Sequence, residues 1–98
     1  MSILFFKKEF LPLILSGKKT QTIRGKTPLK KGGKFLINFK IPAEVIQVTS
    51  KYFSEITEEE AQRDGFFSLK HLKDWMILNN QMTSEKLNLI QFRLLDDA

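Results

Sequence analysis

The chain contains no cysteine, one histidine and one tryptophan in 98 residues. Without cysteine there is no disulfide, no thiolate metal site and no cysteine nucleophile. The single histidine, His71, has no second histidine or cysteine to share a metal, so it is read as a helix-surface residue, and neither a metal nor a cofactor is expected. Long hydrophobic runs are also missing. The apolar start Ser2-Ile3-Leu4-Phe5-Phe6 meets Lys7 and Lys8 at once, far short of a signal-peptide core or a membrane span. The expectation is a soluble, cytoplasmic protein with no membrane partner. No repeat, linker or low-complexity stretch interrupts the chain.

Acidic residues are scarce in the first half. Up to Lys51 eleven Lys or Arg face two acids, Glu9 and Glu44, for a net +9; from Tyr52 onward five basic residues face nine acids, for a net −4. A molecule polarised in this way attracts phosphate through its basic half. A lysine-rich surface that is merely solvated accounts for the same charges. The hydrophobic fraction of 42% and the length suit one ordered domain over residues 1–98 with a single core.

Ser2 to Phe6 reads as a short buried strand. Glu9 to Ser16 follows as a helix, with Pro12 in its first turn, an apolar stripe of Phe10, Leu11, Ile14 and Leu15, and Gly17 just past its end. Thr20 to Arg24 alternates as a strand, with Thr20, Thr22 and Arg24 on one face and Gln21 and Ile23 on the other. Pro28 and Lys30-Lys31-Gly32-Gly33 mark a turn before a strand over Lys34 to Phe39, which Pro42 ends. Ala43 to Phe53 is a long strand. Thr57 with Glu60 is a capping box for a helix over Glu58 to Arg63 that stops at Gly65. Ser68 caps a helix over Leu69 to Leu78, closed by Asn79-Asn80. A final strand spans Lys86 to Leu95, and Asp96-Asp97-Ala98 frays. Five strands with inserted helices specify an α+β fold, a small barrel or rolled sheet with two to three flanking helices.

The chemistry concentrates in Gly17-Lys18-Lys19-Thr20-Gln21-Thr22-Ile23-Arg24. A helix ends on glycine, two lysines follow, and threonines and an arginine stand at strand spacing. Arginine offers a planar charged fork, lysine a mobile cation and threonine a hydroxyl that donates and accepts, a set suited to an anion or a polar heterocycle. Lys19 and Thr22 have opposite strand parity. Either the strand begins after Lys19 or a bulge re-aims a side chain, and Lys18, which shares parity with Thr22, is the alternative. Lys26, Lys30, Lys31 and Lys34 form a phosphate-gripping flap or solubilise the turn. Trp75 is read as core, with base stacking as the other possibility.

At this segment the chain resembles the ASCH family, a branch of the PUA-like superfamily, through the motif Gly-x-Lys-x-x-Thr-x-Arg, filled by Gly17, Lys19, Thr22 and Arg24. Lys31-Gly32-Gly33-Lys34, Glu60-Ala61 with Asp64-Gly65-Phe66, and Leu89 to Arg93 are similar to later segments of that family, more loosely. The resemblance implies a PUA-like β-barrel whose mouth binds RNA or a modified nucleoside. With the basic segment and turn read above, the candidate binding residues for that ligand are Gly17, Lys18, Thr20, Arg24, Lys26, Lys31 and Lys34. In one group of small bacterial members the same lysine and threonine, with a glutamate, hydrolyse an acetyl group from the exocyclic amine of cytidine. Some other relatives are ribonucleases. Carried over, Lys19 is the base, Thr22 or a water the nucleophile, Arg24 the holder of the developing oxyanion, and Asp64 the acid, an aspartate where that pattern has glutamate. Glu60 is the other acid within reach of the same role. A protein-docking role for the acidic second half is the remaining reading.

Overall fold

The computed structural model describes residues 2–81 and 85–95. The expectation for Asp96-Asp97-Ala98 lies outside the described residues. Five strands form one mixed sheet: β1 Ser2–Leu4, β2 Gln21–Arg24, β3 Lys34–Ile37, β4 Ile41–Lys51 and β5 Leu87–Leu94. Their spatial order is β1-β3-β4-β5-β2, with β1 parallel to β3 and every other pairing antiparallel. Three α-helices accompany them: α1 Leu11–Leu15, α2 Glu58–Arg63 and α3 Leu69–Leu78. Short 3-10 turns at Lys8–Phe10 and Phe53–Glu55 lead out of the flanking segments. The sheet curls into a half-barrel whose edge strands are β1 and β2. Among the described residues there is no ladder between the edges; a guanidinium bridges them, Arg24 Nη2 donating to the Phe5 carbonyl just after β1 at 2.9 Å.

Several strand limits differ from the sequence reading. The strand expected to reach Phe39 ends at Ile37, because Asn38 and Phe39 turn with φ of 51° and 65° and Lys40 N–H returns to the Ile37 carbonyl at 3.0 Å. Positive φ at both central residues matches the twist of the flanking strands. Pro42, expected to break the strand, lies near the start of β4 opposite Leu36, where its carbonyl accepts from Leu95 N–H. A proline is tolerated at such a strand end, where its missing N–H costs least. The helix expected from Glu9 divides into the 3-10 turn and α1, with Pro12 in the first turn of α1. α2 and α3 have the expected limits.

Apolar side chains gather in two clusters. One joins Phe6, Ile14, Leu29, Phe35, Ile37, Ala43, Val45, Ile90 and Phe92. The other joins Ile23, Ile56, Ala61, Phe66, Leu72, Met76, Leu87 and Leu89 under α2 and α3. Phe10 packs against both. No helix among the described residues is long and apolar enough to cross a membrane.

Candidate functional site

All three helices stop in the same way, and each stop delivers a polar residue to one place. α1 ends at Ser16, and Gly17 takes a φ of 81°. Gly17 N–H then bonds the Ile14 carbonyl at 3.2 Å and Lys18 N–H the Leu13 carbonyl at 2.9 Å. This paired return is the Schellman arrangement, which favours glycine at the left-handed position. Lys19 N–H also reaches the Leu13 carbonyl, at 3.0 Å, so Lys19 belongs to this turn and β2 begins only at Gln21. The parity conflict between Lys19 and Thr22 disappears because only Thr22 is in the strand.

α2 closes identically. Asp64 is its C-cap, Gly65 takes a φ of 94°, Gly65 N–H bonds the Gln62 carbonyl and Phe66 N–H the Ala61 carbonyl, both at 3.0 Å. At the end of α3 Asn80 fills the left-handed position with a φ of 56°, and Gln81 N–H returns to Met76 at 3.0 Å. Lys19, Asp64 and Gln81 therefore converge from three helix ends.

They line a pocket of about 190 Å³ together with Phe5, Phe6, Lys7, Phe10, Thr22, Ile23, Arg24 and Trp75. Its walls are aromatic: Trp75 stands edge-on to Phe10 at 5.4 Å between centroids. Its polar groups form a connected set. Lys19 is 3% exposed; its ammonium lies 3.3 Å from Asp64 Oδ2 and donates to the Asp64 carbonyl at 2.8 Å. The same ammonium rests over the faces of Phe10 and Phe6, 4.8 and 5.9 Å from the ring centres. Arg24 Nε donates to Thr22 Oγ1 at 3.1 Å, and its guanidinium lies over Phe6 at 4.8 Å. Because Arg24 occupies a lone pair of Thr22, the hydroxyl keeps its own proton for another acceptor.

Burial shifts both members of the ion pair toward neutrality. It pushes the Lys19 ammonium below its ordinary value, an effect Asp64 opposes and Arg24 reinforces. It raises the Asp64 carboxyl to about 6 against the pull of Lys19 and Arg24. Asp64 Oδ1 is buried and has no hydrogen-bond partner among the described residues. Leaving such an oxygen unpaired costs about 1–3 kcal/mol.

Glu60, the other candidate acid, is committed elsewhere. Its Oε1 accepts from Thr57 N–H at 2.9 Å while Thr57 Oγ1 accepts from Glu60 N–H at 3.2 Å, and both its oxygens lie 2.9–3.0 Å from Lys51 Nζ. Lys51 and Thr57 outweigh its burial and hold that carboxyl below the ordinary range. It does not line the pocket.

Of the residues singled out in the sequence, the structure brings Lys19, Thr22, Arg24 and Asp64 together with Trp75 in one lining and leaves the other candidate site residues out of it. Gly17 and Thr20 line a second, more apolar cavity of about 390 Å³ with Ile14, Leu15, Ile46 and Phe92, in which Lys19 also takes part. Thr20 does not project with Thr22 and Arg24. It precedes β2, where its N–H bonds the Arg63 carbonyl at 2.8 Å and its carbonyl accepts from Phe92 N–H at 2.9 Å. Lys18, Lys26, Lys31 and Lys34 are exposed and line neither cavity. His71 accepts from Phe67 N–H on the exposed side of α3, and among the described residues no three His, Cys, Asp or Glu side chains group to hold a metal.

Sequence reasoning missed Phe5, Phe6, Lys7, Phe10 and Gln81 as lining residues. Apolar periodicity marks a side chain as inward-facing and does not separate a core neighbour from a pocket wall. Asn38 was missed too: its amide accepts from Phe6 N–H at 2.7 Å and donates to the Phe6 carbonyl at 3.0 Å, fixing the ring beneath Lys19 and Arg24.

No family model matches the chain, and no curated protein does. Among solved structures it is similar to the ASCH domain from Lactobacillus crispatus, with 17% identity, a TM-score of 0.73, and coverage of 95% of this chain and 78% of that one. An ASCH protein from Zymomonas mobilis aligns at 20% identity and a TM-score of 0.66, over 93% of this chain and 67% of the other. A protein from Pyrococcus furiosus aligns at 16% identity and a TM-score of 0.62, over 97% of both chains. At these identities the likeness establishes the fold, which is that of an ASCH domain.

Proposed function

We propose that the pocket binds one nucleobase, presented by a modified nucleoside or by RNA. The observation that carries this reading is the pairing of aromatic walls with Lys19, Asp64, Thr22 and Arg24 in one small cavity. A volume of about 190 Å³ lies below the range of drug-sized sites, roughly 300–1,000 Å³, and suits a single planar ring. Phe6, Phe10 and Trp75 supply faces and edges for stacking. Arg24 and Lys19 supply donors for ring carbonyls, and Asp64 an acceptor or, when protonated, a donor for an exocyclic amine.

A second reading, removal of an acyl group from that amine, is favoured by the burial of Lys19. A lysine whose ammonium burial pushes below its ordinary pKa gives up its proton more readily and so serves better as a base. It takes the proton of Thr22 or of a water, whose oxygen adds to the acyl carbon while Arg24 stands near the developing oxyanion. Asp64, protonated up to about pH 6, returns a proton to the leaving amine. With Thr22 as nucleophile the acyl group passes to its oxygen and water then releases it. A ribonuclease using the same lysine is the third member of this group of readings.

One experiment separates binding from hydrolysis. Cytidine and N4-acetylcytidine are titrated against wild type, Lys19→Ala and Thr22→Ala, and acetate release is followed in parallel. Binding without release supports the nucleobase site alone. Release by wild type and by neither variant supports the hydrolase. Absence of both, in protein that is folded by circular dichroism, refutes the two together.

A further inference from the structure

Two cations on the pocket wall have no carboxylate within 4 Å among the described residues. Lys19 is balanced by Asp64, whereas Arg24 and Lys7 are not. The lining therefore carries a net charge of +2 when the buried pair is balanced, around a cavity built to take an aromatic ring. Of the two, Arg24 is half-buried, where an unpaired charge is costly unless an anion completes it, and Lys7 is exposed.

Lys7 is not a loose surface lysine. Its ammonium donates to Asn79 Oδ1 at 2.6 Å and lies over the Trp75 ring at 5.2 Å. The Asn79 amide is oriented in turn, since its Nδ2 donates to the Trp75 carbonyl at 2.9 Å. That leaves the acceptor oxygen facing Lys7. The end of α3 thus holds a cation at the pocket mouth with two of its three N–H donors unspent. Lys7 itself is exposed, so an anion bound there stays partly in water while the ring enters the cavity.

We infer that the pocket takes a nucleotide rather than an uncharged nucleoside, with Lys7 as the residue that recognises the phosphate and Arg24 adding charge from β2. This rests on the reading of the pocket as a nucleobase site. The phosphate can belong to a free nucleoside monophosphate or to a phosphodiester of RNA, and the two share the same contact.

Isothermal titration of cytidine, cytidine monophosphate (5′ and 3′), a cytidine dinucleotide and inorganic phosphate against wild type and Lys7→Gln tests it. One exposed charge contact predicts that one of the monophosphates binds about three- to fivefold more tightly than cytidine. Lys7→Gln, at an exposed position, is expected to bring the two ligands to within about twofold of each other, and raised salt to erode the wild-type preference. A dinucleotide as tight as the monophosphate assigns the phosphate to RNA; one clearly weaker assigns it to a free nucleotide. Equal wild-type affinity for cytidine and both monophosphates, or a preference that survives Lys7→Gln, overturns the inference while leaving the nucleobase site standing. Inorganic phosphate bound as tightly as the monophosphate also overturns it. Failure of every cytidine ligand to bind removes the nucleobase reading and the inference with it.

Discussion

Replacing Asp64 by asparagine should change how the stability of this domain depends on pH, by an amount the site itself sets. Burial lifts the Asp64 carboxyl from 3.8 to about 6 in the folded protein. At 1.36 kcal/mol per pKa unit the difference corresponds to about 3 kcal/mol. Its sign follows from proton counts. Between roughly pH 4 and 6 the unfolded chain has released this proton and the folded chain still holds it, so folding becomes less favourable as pH rises through that window. Stability linked to Asp64 is complete below about pH 3 and is lost by the time pH passes 6.

Other carboxylates bend the same curve, Glu60 in the opposite sense, because its folded pKa is lowered and its contribution is lost as pH falls. Comparing wild type with Asp64→Asn cancels these. Urea unfolding followed by circular dichroism and by Trp75 fluorescence at half-unit steps from pH 4 to 6.5 gives both curves. Over this range the wild-type curve should fall relative to the variant by about 2 kcal/mol, the rest of the loss lying below pH 4, and that is a sizeable part of the roughly 5–15 kcal/mol typical of a small domain. Losing Asp64 also depresses Lys19 further. If that lysine titrated inside the window, the variant would gain stability with rising pH and the gap would widen. Parallel curves would therefore show that Asp64 is an ordinary carboxylate and that the acid role rests on nothing.

Two backbone substitutions test how the pocket is held. Gly65→Ala places a Cβ 3.3 Å from the Lys19 Cβ at a φ of 94°, which should cost about 1–3 kcal/mol in urea unfolding and weaken ligand binding. Gly17→Ala has a similar φ but nothing within 4 Å of the new atom, so it should lose stability alone; equal loss of binding in both would refute a specific role for the Gly65 contact. Asn38→Ala removes both bonds to the Phe6 backbone and strains a φ of 51°. It should cost about 2–4 kcal/mol by denaturation, and Asn38→Gly, which relieves the dihedral, should recover part of that without restoring the pocket.

Much of the scaffold was legible because it is written in local chemistry. Gly17, Gly65 and Asn79-Asn80 stop helices whatever surrounds them, and Thr57 with Glu60 caps α2 by contacts within one turn. The strand limits at Phe39 and Pro42 were missed because the turn at Asn38 depends on a long-range bond to Phe6. For the pocket, the types and spacing of Lys19, Thr22 and Arg24 drew attention to a segment whose side chains the structure brings into one lining. Lys7, Phe10 and Gln81 join it only through tertiary contacts, and the lysines at 26, 31 and 34, equally basic in the sequence, stay outside it.

The distribution of buried polarity explains why the site lies where it does. Among the described residues the buried polar side chains are Lys19, Gln21, Thr22, Glu60 and Asp64, confined to two short stretches. Those stretches are tied along their length: Lys19 to Asp64, Thr20 N–H to the Arg63 carbonyl, and Gln21 Nε2 to the Glu60 carbonyl at 3.0 Å. Two of these ties would position α2 against the entry of β2 without any buried charge. The third adds an ion pair whose acid retains an unpaired oxygen, where well-packed apolar residues would serve stability as well or better. Packing therefore does not account for Lys19 and Asp64. What they add to the lining of an aromatic pocket is a lysine and an aspartate whose pKa values are both displaced toward neutrality, which supports the proposed ligand site.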